Sequence, residues 1–282
     1  MPKWKLAYHA NCWGPLGGDA VGVTSITRLA YRTFGDMQHA ARDVASAGYE
    51  GIELFDGNVL DGESDGFAAM RSILAETKLT LAAVYSGANF IFPDVLEEEL
   101  ARITRAAAAA RALGAEHLVV GGGARRFSGT RPSDYDLLAG GLDQVMRIAE
   151  VHGLRAHYHP HLSTIVENLD EVRTLFSKTA IDFCPDTAHL AAAGSDVAAM
   201  VHEHRGRISY VHLKGLQRQP FAFVPVGRGD CDNGAVIRAL ADIGYPGWIC
   251  NELDAWPDPL AGAVESRSFV MEQMASLRAS SS

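Results

Sequence analysis

Short apolar runs alternate along the chain with longer segments whose apolar residues recur at helical spacing. The runs at residues 5–9, 51–55, 79–84, 117–120, 153–159, 181–184, 208–213 and 248–251 are short and apolar enough to be buried strands. The intervening periodic segments predict helices at 36–47, 65–77, 95–113, 133–152, 169–177, 197–204, 233–243 and 260–277. Gly48, Gly114 and Gly153 mark helix ends, and Ser133 can cap the helix it opens. Parallel strands need crossover helices, so eight strand–helix units predict an α/β fold, a single (β/α)8 TIM barrel over residues 1–282. An open doubly wound sheet is the competitor. It would want G-x-G-x-x-G after the first strand, and the Gly-rich loop from Asn11 to Gly22 leads into no phosphate-binding helix.

Length and composition agree: 282 residues, 48% hydrophobic and 21% charged, suit one large globular domain. The net charge of −9 argues against a nucleic-acid surface, which needs a basic stripe. Cys12, Cys184, Cys231 and Cys250 are scattered without a C-x-x-C pair, so they read as reduced and the protein as cytoplasmic. The first residues show no secretory leader pattern, no apolar run approaches the ~18 residues of a membrane span, and the tail at 279–282 is expected to fray.

Barrel enzymes place their chemistry at the C-terminal strand ends. Those ends carry His9, Asn11 and Trp13; Glu53 and Asp56; Tyr85 and Asn89; His157, His159 and His161; Asp186 and His189; His212 and Lys214; Glu252 and Asp254. The run His157-Tyr158-His159-Pro160-His161 holds three of eleven histidines; His157 and His159 share a strand face, and Pro160 ends the strand. Each residue alone has a plainer explanation: Asp186 as a helix cap, Glu252 paired with a lysine, His212 a satisfied core histidine, Lys214 solvated. Their joint placement points to a divalent ion such as Mn²⁺, Co²⁺ or Mg²⁺, with Zn²⁺ possible although no thiolate joins the set.

Asp186-Thr187-Ala188-His189, Val211-His212-Leu213-Lys214, Glu252 and the loop Pro225-Val226-Gly227-Arg228-Gly229-Asp230-Cys231-Asp232 resemble the xylose-isomerase-like sugar isomerase/epimerase superfamily. Tyr158-His159-Pro160-His161 with Thr164 and Glu167, and the stretch 84–91, look most like its inosose (keto-inositol) dehydratase branch. The resemblance implies one divalent ion held by four successive strand ends, with Asp186, His212 and Glu252 matching the last three. The family's first ligand, a Glu, falls on His159. Strand geometry keeps His159 on the inward lip, whereas Glu167 would have to fold back, so His159 is the expected fourth ligand. Gly215 replaces the family's usual Asp, and Arg228 its frequent Glu; a guanidinium there can hold a substrate oxygen.

Such a site implies enolisation of a ketone. His161 or His189 is the expected base and Lys214 completes the catalytic set, while Trp13, Glu53, Tyr85, Asn89, His157 and Arg228 are expected substrate contacts. Several imidazoles without the usual Glu favour β-elimination: a lyase or dehydratase acting on a keto-cyclitol, keto-sugar or oxidised glycoside. A ketose isomerase or epimerase is the alternative, and a non-catalytic sugar-binding barrel or nuclease-like phosphodiesterase ranks below both. The expected substrate is a small polyol ketone or keto-glycoside without phosphate, because Gly121-Gly122-Gly123 is more simply a tight turn. The segment Phe221-Ala222-Phe223 is either a surface for a second copy or small subunit, or a flap over the pocket.

Overall fold

The computed structural model describes residues 4–16, 24–25 and 30–279. Part of the Gly-rich loop after the first strand, and residues 280–282 of the tail, lie outside them. Eight parallel strands form the barrel: β1 (Lys5–His9), β2 (Gly51–Phe55), β3 (Thr80–Ala88), β4 (His117–Gly122), β5 (Arg155–His159), β6 (Asp182–Phe183), β7 (Tyr210–Leu213) and β8 (Trp248–Asn251). Hydrogen-bonded neighbours run β6-β5-β4-β3-β2-β1-β8-β7, and the parallel bridges Phe183↔Ile208 and Asp186↔His212 close the ring. The outer helices are α1 (Met37–Ser46), α2 (Ala68–Thr77), α3 (Pro93–Ala112), α4 (Pro132–Val151), α5 (Leu169–Phe176), α6 (Val197–Glu203), α7 (Asn233–Asp242) and α8 (Pro259–Ala279). Among the described residues no helix is long and apolar enough to cross a membrane.

Strand alternation sorts the apolar residues into two clusters. Leu6, Ile52, Leu54, Val84 and Leu118 pack outward with the helices, while Ala7, Phe55, Tyr85, Val119 and Cys250 belong to a separate cluster inside the barrel. His9, Glu53, His157, His159 and His212 share the parity of that inner set and are all buried. Polar side chains thus occupy positions where a barrel ordinarily stacks branched aliphatic residues.

Three local features depart from the pattern. β3 runs on to Ala88, because Gly87 and Ala88 pair with Gly121 and Gly122 of β4. Helix α4 is capped by Arg131 with Asp134, whose carboxylate accepts the Arg131 amide at 2.9 Å, rather than by Ser133. The loop after β7 is a hairpin, Gly215–Gln217 against Ala222–Val224. Gly122 and Gly123, at φ 116° and 92°, make the tight turn expected of the glycine run.

Candidate metal centre

Asp186 lies three residues beyond β6 and caps the short helix Thr187–Ala192, Oδ1 accepting from the amides of Ala188 and His189, both at 2.9 Å. That engagement leaves Oδ2 buried without a hydrogen-bond partner. The same division recurs on three more strands. His212 Nε2 donates to Glu53 Oε2 at 3.2 Å and its Nδ1 has no partner. Glu252 Oε1 accepts from Lys214 Nζ at 2.9 Å and Asn11 Nδ2 at 3.1 Å, while Oε2 has none. His159 Nδ1 stands 3.5 Å from Tyr85 Oη and its Nε2 has none.

Ligand-type atoms of these four side chains lie within 4.8 Å of one another. Two donors about 2.1–2.2 Å from one ion can be at most about 4.4 Å apart, so closing the set takes shifts of a few tenths of an ångström. His159 Nε2 and Asp186 Oδ2 are 3.5 Å apart, and His212 Nδ1 approaches Glu252 Oε2 to 2.5 Å without hydrogen-bond geometry. Buried polar atoms without partners are costly. Two nitrogens and two carboxylate oxygens converging this way could hold a divalent cation.

The electrostatics of Asp186, Glu252 and His159 suit such a set. Burial alone would raise the carboxyl of Asp186, but Lys214 and then His189 hold it below the usual range. Glu252 is likewise held well below that range, burial being outweighed by Lys214 and His212. Burial lowers His159, which favours the neutral imidazole a ligand must be. His212 is pushed well above the usual range, the Glu53 carboxylate outweighing burial. Lys214 Nζ lies 2.9 Å from Glu252, 3.1 Å from Asp254 and 3.7 Å from Asp186, and these carboxylates, above all Asp254, raise it against burial. It remains a cation, shared among Asp186, Glu252 and Asp254.

A cavity of about 330 Å³ opens beside these groups. Tyr31, Phe55 and Tyr85 wall one side with mutual ring separations of 5.3–5.7 Å. Asn11, His161, Thr164, Glu252 and Asp254 also line it. His161 Nδ1 lies 2.7 Å from Leu162 O and so carries the hydrogen, leaving Nε2 as the acceptor. Its ring centroid is 3.8 Å from that of His189, whose imidazole is held neutral by burial and then by His161 and Lys214. Gly121 allows Tyr85 its place, since a Cβ there would lie 2.0 Å from Tyr85 Oη.

Not every expected residue reaches this cluster. Glu53 sits behind it, 2.9 Å from His9 Nδ1 and 3.1 Å from His212 Nε2. His157 lies deeper in the barrel, its Nε2 2.9 Å from His117 Nδ1, with Tyr210 beside both rings. Trp13 donates to Asp43 at 2.8 Å, and Asn89 donates to Glu99 at 2.7 Å. Arg228 is exposed and paired with Glu265. Glu167 accepts from the Ser163 amide and lies 3.0 Å from Arg125. Phe223 covers His189 and Lys214, at 4.9 Å and 4.7 Å, whereas Phe221 is exposed. Asn11 and Asp254 stand at strand ends legible in the sequence, but the way Asn11 and Lys214 both donate to Glu252 and Asp254 depends on distances no spacing reveals.

A sequence profile described as xylose isomerase-like TIM barrel matches residues 41–273. An inosose dehydratase of Clostridium beijerinckii is 29% identical over 163 residues, covering 50% of this chain and 55% of the relative. The chain thus spans about half the length of the curated relatives it matches. Among solved structures, an L-ribulose 3-epimerase superposes with a TM-score of 0.76 at 17% identity, covering 99% of this chain and 97% of that one. A 3-keto-D-glucoside 4-epimerase from E. coli gives 0.73 at 16% identity, covering 96% and 100%. At these identities the structural likenesses establish the fold.

Proposed function

The chain belongs to the xylose isomerase-like TIM barrel family, and from that premise we propose that it is a divalent-metal-dependent carbon–oxygen lyase acting on a keto-cyclitol, keto-sugar or keto-glycoside. The observation that carries this is the convergence of four buried donor atoms without hydrogen-bond partners, His159 Nε2, Asp186 Oδ2, His212 Nδ1 and Glu252 Oε2, beside a cavity lined by His161. The relatives named inosose dehydratase support a dehydration. Those four atoms would hold the ion, Mn²⁺ first among Co²⁺, Mg²⁺ and Zn²⁺. When bound, it would polarise the ketone oxygen and stabilise enolate charge.

The remaining work falls to the chain's own groups. His161 Nε2 takes the proton α to the carbonyl, and the electron pair moves into the enolate. As the carbonyl re-forms, the pair expels the β-oxygen, to which the His161–His189 pair returns a proton, giving water or an aglycone alcohol. Lys214 stays charged and orients Glu252 and Asp254. Tyr31, Phe55 and Tyr85 receive the apolar face of the substrate, and Asn11, Asp254 and Thr164 face its hydroxyls. His161 and His189 stand side by side at 3.8 Å, which suits proton removal and return on one face. Two-base epimerisation needs groups on opposite faces. The four cysteines, buried and free, fit a reducing cytoplasm.

The test is incubation of Mn²⁺-loaded protein with keto-inositol, with free ketoses and with a 3-keto-glucoside. Elimination appears as enone-type absorbance and loss of one water or of the aglycone. An isomer formed at conserved mass establishes the isomerase or epimerase alternative, and unchanged turnover after metal stripping refutes the metal-dependent reading.

A further inference from the structure

Behind the four donors lies a second group, His9, Glu53 and His212, whose ligand-type atoms also fall within 4.8 Å of one another. We infer that His9 and Glu53 are positioning residues that select which nitrogen of His212 meets the ion, and that they do not form a second ion site; this rests on the metal centre proposed above. Glu53 is fully buried on β2, and both its oxygens face His212 Nε2, at 3.1 Å and 3.2 Å. An acceptor there holds a ring hydrogen on Nε2, so that Nδ1 is the nitrogen turned to the cluster. Partners of this kind fix ring orientation and raise ligand basicity.

His9 stands on the other side of the carboxylate. It is the ladder neighbour of Glu53 between β1 and β2, so the backbone sets their spacing. Its Nδ1 lies 2.9 Å from Glu53 Oε1, and its ring packs on Phe55 with centroids 4.4 Å apart, which prevents it from swinging away. A separate ion among these three would need His212 to ligate through both nitrogens and give up its remaining ring hydrogen to do so. Neither His9 nor Glu53 lines the cavity of about 330 Å³, so such an ion would also lie away from that position for substrate.

The experiment titrates chelator-stripped protein with Mn²⁺, reading free ion by electron paramagnetic resonance. The parent should bind one ion per chain. Glu53→Gln keeps an acceptor but loses the charge and should weaken binding about 10-fold, and Glu53→Leu about 100-fold. His9→Phe, which preserves the contact with Phe55, should weaken it less than Glu53→Leu. In ¹H–¹⁵N spectra of the stripped protein, the hydrogen-bonded Nε2–H of His212 should persist in Glu53→Gln and vanish in Glu53→Leu. Both Glu53 variants within twofold of the parent would overturn the inference while leaving the metal centre standing. So would two ions per chain in the parent falling to one in His9→Phe. A parent that binds no ion overturns the metal centre and this inference together.

Discussion

Replacing Lys214 by methionine isolates the charge balance of the site. The ammonium is fully buried, with carboxylate oxygens at 2.9, 3.1 and 3.7 Å from Glu252, Asp254 and Asp186. At an effective dielectric constant of about 20 each such pair attracts by about 4–6 kcal/mol. Burial of the lysine offsets much of that sum. Its removal then leaves three carboxylates without their shared cation, and breaking a buried pair typically destabilises by about 3–5 kcal/mol. For a domain of this size the melting temperature of stripped Lys214→Met protein should fall by about 10 °C. The sign of the metal response follows from the same geometry. A divalent ion would replace the missing positive charge, so saturating Mn²⁺ should raise the melting temperature of the variant by more than it raises the parent's. The assay is differential scanning calorimetry of both proteins with and without the ion. A fall of less than about 2 °C in the stripped variant, or a smaller metal-induced rise than in the parent, would show that Lys214 does not balance these carboxylates.

Three further outcomes follow. Burial, then Arg155, pushes His117 down to about 4 from an ordinary 6.5, so the fold keeps it neutral. Its contribution is whole above pH 6.5 and is lost as pH falls toward 4, about 3 kcal/mol in total, because the unfolded chain takes the proton first. Urea midpoints at pH 7 and 4.5 should show that loss in the parent and a smaller one in His117→Phe; equal losses would contradict it. Gly121→Ala should displace Tyr85, whose Oη would lie 2.0 Å from the new Cβ, and lower kcat/KM by about tenfold or more, the scale for misplaced site groups; an unchanged value would show that the ring moves freely. Arg228→Ala should leave turnover and melting unchanged, since its guanidinium is exposed and paired with Glu265; a fall in kcat/KM would restore the substrate role its loop position suggested.

The barrel was legible because its strands and helices differ in period and its glycines mark helix ends. Gly51–Phe55 and Trp248–Asn251 fall where the pattern puts them. The donor strand ends were legible for a related reason: a carboxylate or imidazole with inward parity at the end of an apolar strand has few ordinary uses. What the sequence did not reveal was the division of labour within each side chain. Asp186 appeared to be either a cap or a ligand. It caps with Oδ1 and leaves Oδ2 unpartnered. His157 and His159 share a face, but one step of two residues along β5 moves His157 from the mouth into a buried pair with His117. Arg228 is separated from the cavity by the course of its loop, which spacing does not encode. The grip of Asn11 and Lys214 on Glu252 and Asp254 joins residues more than two hundred positions apart in one case, beyond the reach of any local pattern.

The most direct test of the central claim is metal content by elemental analysis after Mn²⁺ loading and desalting. The parent and Glu167→Gln should each hold one ion per chain. Glu252→Ala and His159→Ala should hold almost none, with each variant still folded by circular dichroism. Full occupancy in folded Glu252→Ala, or retention in His159→Ala with loss in Glu167→Gln, would contradict that claim.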